Sequence, residues 1–214
     1  MQASARPDAC SLLGVPDSLG ATVVANTRLW AAPTRPVAEI YTGVLYAALG
    51  LSRLDVSARR RARSRLVVIS ALWGAVRMHD KIPSYRLSMT ARLPGIDGLA
   101  ATWRPELDRV LPLAAPDGLI IDCRSSSYAQ AWRPMGIRAP RWVEVNVFTE
   151  QAGRRVLVSH MAKHTRGLVA RQLLGSAKDP RRPSSLPGLL AGWRTELMEP
   201  TRQGQPWMLN VLIG

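Results

Sequence analysis

Three lysines, two cysteines and one phenylalanine are spread over 214 residues, and each scarcity excludes something. Cys10 and Cys123 are too few for a disulfide framework and lack metal-ligand spacing, so a reducing, cytoplasmic location is the expectation. No apolar run approaches the ~20 residues that cross a bilayer, and MQASARPDACSLLG has no signal-peptide core, so no membrane partner is expected. H-E-x-x-H, C-x-x-C, Walker, G-x-G-x-x-G and G-x-S-x-G patterns are absent, which leaves metal and dinucleotide chemistry without support and no cofactor expected.

What is abundant is arginine. The chain carries 29 Lys+Arg against 15 Asp+Glu, a formal charge of +14, and only Lys81, Lys163 and Lys178 are lysine. The planar guanidinium suits phosphate and carboxylate, so nucleic acid or another phosphorylated partner is favoured. The plainer alternative is a habit of arginine for lysine. Hydrophobic residues at 47% give enough apolar material for a sizeable core, read as one domain over 1–214.

Hydrophobic patterning predicts an α/β (mixed α+β) fold, a central mixed sheet with surrounding helices. Residues 1–36 read as short helices and loop, ended by AAPTRP. EIYTGVLYAALGL reads as an amphipathic helix entered through Tyr41-Thr42-Gly43, and SARRRARSR as a short helix capped by Ser57. Its five arginines are either a solvated face or a phosphate-contacting patch. LAATWRPELDRVL is helical around Pro105, as one piece or two. RWVEVNVF alternates and pairs with RVLVSH as a hairpin whose second strand ends at His160, with a helix from Thr165. Residues 175–200 read as a surface loop and a short helix around Leu189–Met198, and PWMLNVLIG as a last strand.

Three aliphatic strands each run into a polar loop: LVVIS into Trp73–Arg86, LIIDC into Arg124–Tyr128, and RVLVSH into His160–Arg166. Ligands gather outside the carboxyl ends of strands in α/β sheets, so the loops are expected to meet in one cationic, hydroxyl-rich cleft. Its candidate anion-binding residues are Arg77, Arg86, Arg124, Ser125, Ser126, Ser127 and Arg166, with Asp80 nearby and Tyr41-Thr42 at the opening of their helix. Tyr85, Tyr128, Lys163 and His160 are the candidate catalytic groups. Each has a bland counterpart: arginines and Asp80 pairing internally, serines capping a helix, tyrosines packing, and His160 hydrogen-bonded within its strand.

The segments EIYTGVLY (39–46), SALWGAVRMHDKIPSYRLSM (70–89), DCRSSSYAQAW (122–132) and SHMAKHTRGLVARQLL (159–174) resemble, in order and spacing, the YaaA-type peroxide-stress protein family. That resemblance implies one α/β domain of unusual architecture. It also implies a cytoplasmic role in limiting free iron and its DNA damage, and a basic cleft with affinity for DNA. Two departures stand out. The family's usual opening strand and its P-[PS]-[SA]-[ED]-x-K-like loop have no counterpart, and Ser127 replaces a common acidic residue. A missing strand would be covered by residues 1–20, by a partner, or by a second copy of the chain. Three readings follow: a DNA-associating stress protein; an enzyme acting on a small anionic or nucleotide-like substrate, for instance in a biosynthetic pathway; or a degenerate relative that binds a full-length one.

Overall fold

The computed structural model describes residues 2–115, 117–151, 154–158 and 160–213, without the side chains of Gln151, Leu157 and His160. In chain order the first elements are α1 (Ala9–Leu13), α2 (Gly20–Ala25), β1 (Thr34–Pro36), α3 (Val37–Ile40), α4 (Val44–Leu49) and α5 (Val56–Arg65). They are followed by β2 (Val67–Ser70), β3 (Gly74–Arg77), β4 (Lys81–Pro83), α6 (Leu99–Ala114), β5 (Ile120–Asp122) and α7 (Ser126–Ala129). The last are β6 (Trp142–Gln151), β7 (Arg154–Leu157), α8 (His160–Gly175), α9 (Leu186–Leu189), β8 (Arg194–Met198) and β9 (Trp207–Ile213). Helices and mixed strands together make the α/β fold that the patterning predicts. Among the described residues no helix is long and apolar enough to cross a membrane.

The chain forms two compact units, each from three separate stretches: residues 1–41, 66–113 and 126–133 in the first, and 42–65, 114–125 and 134–214 in the second. In the first, β2 and β3 form an antiparallel hairpin and β1 pairs antiparallel with β4. LVVIS is therefore a strand that turns back at Trp73-Gly74 rather than one that ends in an open loop. Gly74 takes a positive φ of 69°, and the Trp103 ring lies where a Cβ would stand, 2.7 Å from it. The same indole donates to the Ala71 carbonyl at 2.8 Å, so α6 fixes the turn by one hydrogen bond and one steric fit. Pro105 and Pro112 both lie inside α6, which is one helix rather than two.

The second unit is built on a mixed sheet in the order β5-β6-β9-β8, with β7 also on β6. β5, β6 and β9 run parallel; β7 and β8 are antiparallel to their neighbours. Alternation in β6 sends Val143, Val145 and Val147 to one face, where all three are fully buried. Val143 and Val145 join Leu209 and Val211 of β9, Val169 of α8 and Leu186 and Leu190 around α9 in one core. α4 crosses α8 closely, because a Cβ on Gly167 would run into the Leu45 carbonyl oxygen.

Three local expectations change. The helix after RVLVSH starts at His160, not Thr165, so His160 opens α8 instead of closing a strand. Leu189–Met198 is not a helix: α9 ends at Leu189 and Arg194–Met198 pairs with β9 as β8, since its register fills the open edge of that strand. The cap of α5 is Asp55, whose Oδ1 accepts the Ala58 N–H at 2.8 Å, rather than Ser57.

Candidate functional site

In the first unit the polar centre is a chain of hydroxyls. Ser70, at the end of β2, is 1% exposed, and its Oγ accepts the backbone N–H groups of Leu72 at 3.1 Å and Trp73 at 2.9 Å. Those two bonds fill its lone pairs, so its own proton goes to the Tyr85 hydroxyl 2.6 Å away. Tyr85 then gives its proton to Tyr41, also at 2.6 Å. The order runs one way, from the β2–β3 turn to Tyr41. Burial, with the neighbouring Tyr41, raises the Tyr85 pKa far above its usual value and keeps the ring neutral. Tyr128, in α7 of the same unit, is likewise raised, chiefly by burial.

The loop that carries Tyr85 is bracketed by the N-terminal helices. Asn26 donates to the Arg86 carbonyl at 2.7 Å and accepts the Arg86 N–H at 3.0 Å, imitating a strand partner from a buried side chain. Farther along, Ser88 and Arg92 donate backbone N–H groups to the Leu13 and Leu12 carbonyls. Leu87 and Leu93 pack on Ala9, Leu13 and Val23. The Arg86 guanidinium stays exposed. Arg77 is half-buried, and its N–H donates to Asp80 Oδ2 at 2.7 Å, closing the turn before β4. Asp80 therefore serves the turn.

In the second unit the polar centre is ionic. Asp122, at the end of β5, has a side chain 3% exposed and receives Arg124 side-on, Nε at 2.8 Å and a terminal nitrogen at 2.6 Å. The Arg124 backbone N–H and the Trp142 indole add bonds of 3.0 and 3.3 Å. One edge of the Arg124 fork is thereby committed to an internal acid. β5 and β7 lie on the same side of β6, because β9 covers the other side across both, and between them the β6 edge has no strand partner at 145–147 among the described residues. Arg166 fills part of that gap by donating Nε to the Val145 carbonyl at 2.8 Å, and the Val158 N–H takes the Val147 carbonyl. Burial pushes the neighbouring Cys123 thiol up to about 12, which keeps it in the unreactive protonated form.

The remaining candidates are placed more simply. Lys163 is exposed on α8, Thr42 and Ser126 are exposed, and Ser125 and Ser127 are half-buried. The His160 side chain lies outside the described residues. The structure thus brings Tyr41 and Tyr85 into one chain with Ser70, and places Tyr128 in the same unit. Arg124, Ser125, Lys163 and Arg166 belong to the other unit. Ser70, Asn26, Asp122 and Trp142 escaped the sequence reading. The one available signal was a polar residue closing each aliphatic strand, Ser70 in VVIS and Asp122 in IID.

The arginine helix divides in the same manner. Arg61 donates to the Leu174 and Gly175 carbonyls at 2.6 and 3.1 Å and caps the end of α8, Arg59 reaches the Leu54 carbonyl, and Arg65 pairs with Asp179. Arg60 and Arg63 are exposed and make no ion pair among the described residues.

Comparison with known proteins gives a consistent result. The family model described as peroxide stress protein YaaA matches residues 1–186. A UPF0246 protein of Streptomyces coelicolor is 48% identical over 94% of this chain and 78% of its own length. UPF0246 proteins of Corynebacterium efficiens and Corynebacterium glutamicum are 40% and 34% identical, over 80% and 84% of this chain and 68% and 71% of theirs.

Proposed function

The chain belongs to the peroxide stress protein YaaA family, and from that premise we propose that it is a nucleic-acid-associating protein of the peroxide stress response. The observation that carries the reading is the excess of arginine over acid, +14 in all, together with exposed guanidiniums that make no ion pair among the described residues. Arg60 and Arg63 on α5 are the nearest to hand. They sit after a tight turn in which Gly50, at φ 58°, ends α4 and α5 begins within a few residues. Such a cationic helix meets phosphates without reading sequence.

Titration of duplex DNA across a salt series tests it. Micromolar binding at low salt is expected, with log K falling linearly against log salt; neutralising about six phosphates would give a slope near −5. Arg60→Ala with Arg63→Ala is expected to lower that slope by about 2, one unit for each phosphate left unneutralised. Absence of micromolar binding, or a flat slope, overturns the reading.

The hydroxyl chain favours a second reading, an enzyme acting on a small anionic or nucleotide-like substrate. Tyr85 stays neutral there and can act only as a proton donor, through Tyr41. Tyr85→Phe and Tyr41→Phe variants that leave every assayed conversion of phosphorylated and carboxylate substrates unchanged would remove this reading.

A further inference from the structure

The second unit contains a groove of about 460 Å³ that none of the candidate residues above lines. Its walls come from the turn after α4, the start of α5, the second half of α8 and Trp193. That volume lies within the ~300–1,000 Å³ range of small-molecule sites. Two arginines, Arg53 and Arg171, line it, and Asp55 is the one acidic residue among the lining residues.

The polar groups around the groove differ in what they have left to give. Gln172 is fully engaged: its amide donates to the Leu189 and Ala191 carbonyls, each at 3.1 Å, and its oxygen accepts the Trp193 indole N–H at 2.8 Å. This fixes the Trp193 ring as a flat wall. Asp55 is spent on capping α5, and Arg61 already covers the carbonyls at the end of α8. Arg53 is set in place by a 2.7 Å bond to the Ala47 carbonyl and by Gly50, where any Cβ would strike its guanidinium at 2.6 Å. One donor of its five is used there, and the others remain. Arg171 is half-buried and has no acceptor or ion pair among the described residues. A partly desolvated guanidinium without an acceptor is unfavourable, and an anion supplied from outside relieves it.

We propose that this groove binds a small organic oxyanion, a flat apolar body that lies along Trp193, Leu54 and Leu168 and gives its phosphate or carboxylate to Arg53 and Arg171. The proposal is independent of the nucleic-acid reading, which rests on Arg60 and Arg63. Phosphate and carboxylate share this chemistry, and the Trp193 wall asks only for a flat partner.

Calorimetry on the full chain with phenyl phosphate, benzoate and neutral phenol tests it. At least one anion is expected to bind with a submillimolar Kd, and phenol about tenfold or more weakly; the tighter anion identifies the charged group. Arg171→Ala and Arg53→Ala are each expected to weaken it about tenfold, Trp193→Phe severalfold, and Arg171→Lys to recover part of the loss. Melting curves of the variants separate loss of binding from loss of fold, and Arg53→Gln repeats the test at the more exposed arginine. Failure of both anions to bind below about 10 mM overturns the proposal. So does binding that both arginine variants leave unchanged, or displacement of the anion by duplex DNA in a protein whose Arg60→Ala/Arg63→Ala form still binds it.

Discussion

The two units solve the same problem, a polar group at the end of a buried strand, by opposite means. At the end of β2, Ser70 hands its hydrogen bonds along neutral hydroxyls to Tyr85 and Tyr41. At the end of β5, Asp122 is closed by a guanidinium, a backbone N–H and an indole. The neutral chain has a direction, and each of its protons points toward Tyr41. The ionic cluster is more nearly closed on itself: its buried charge is met from inside, and it orders the start of the segment after β5 more than it offers a ligand.

The contrast predicts unequal costs. Asp122→Ala should be the most damaging change, because it leaves the Arg124 guanidinium largely buried without its acid; about 3 kcal/mol of lost stability in urea unfolding is expected. A loss below about 1 kcal/mol would mean that the pair is solvated and that the two units do not differ in this way. Ser70→Ala comes next, at roughly 2 kcal/mol, since two backbone N–H groups and the Tyr85 oxygen lose a buried partner together. Tyr85→Phe should cost somewhat less, about 1 kcal/mol, because Ser70 and Tyr41 can turn their hydroxyls elsewhere.

Alkaline pH sharpens the difference. The folded protein holds Tyr85 and Cys123 protonated above the pH at which the unfolded chain ionises, so the unfolded state binds fewer protons there and stability falls as pH rises. For Cys123 the window opens near its ordinary value of 9.0 and closes near about 12, and stability is full below it. Urea midpoints from pH 8 to 11 should decline in the parent protein and decline less in Cys123→Ala, with Tyr85→Phe flattening only the upper part. The smallest effect belongs to surface pairs: Arg109→Ala, which loses an exposed partner in Glu106, should stay within about 0.5 kcal/mol.

What the sequence disclosed follows from range. β6 and β9 were legible because period-2 alternation and long aliphatic runs are local signals, whereas LVVIS, expected to open into the loop Trp73–Arg86, folds back on β3 as a hairpin. β8 was not, because RTELM has no strong alternation and becomes a strand only through β9 beside it. The hydroxyl chain was half-visible: Tyr41 and Tyr85 stood out as polar aromatics, whereas Ser70 ended an aliphatic run and looked like its last core residue. Asn26 could not have been found by spacing. Its role is set by a backbone sixty residues away.

The interleaving of the chain has a consequence for how the protein is made. α4 and α5 leave the ribosome well before α8, the helix against which both pack. At ~5–20 residues per second, that gap lasts roughly 5 to 20 seconds. During this interval α5 carries five arginines and buries only Ala58 and Ala62 in the finished fold, so it offers a nascent chain little to aggregate with. Its arginines keep that helix polar on every face but the one that α8 later covers.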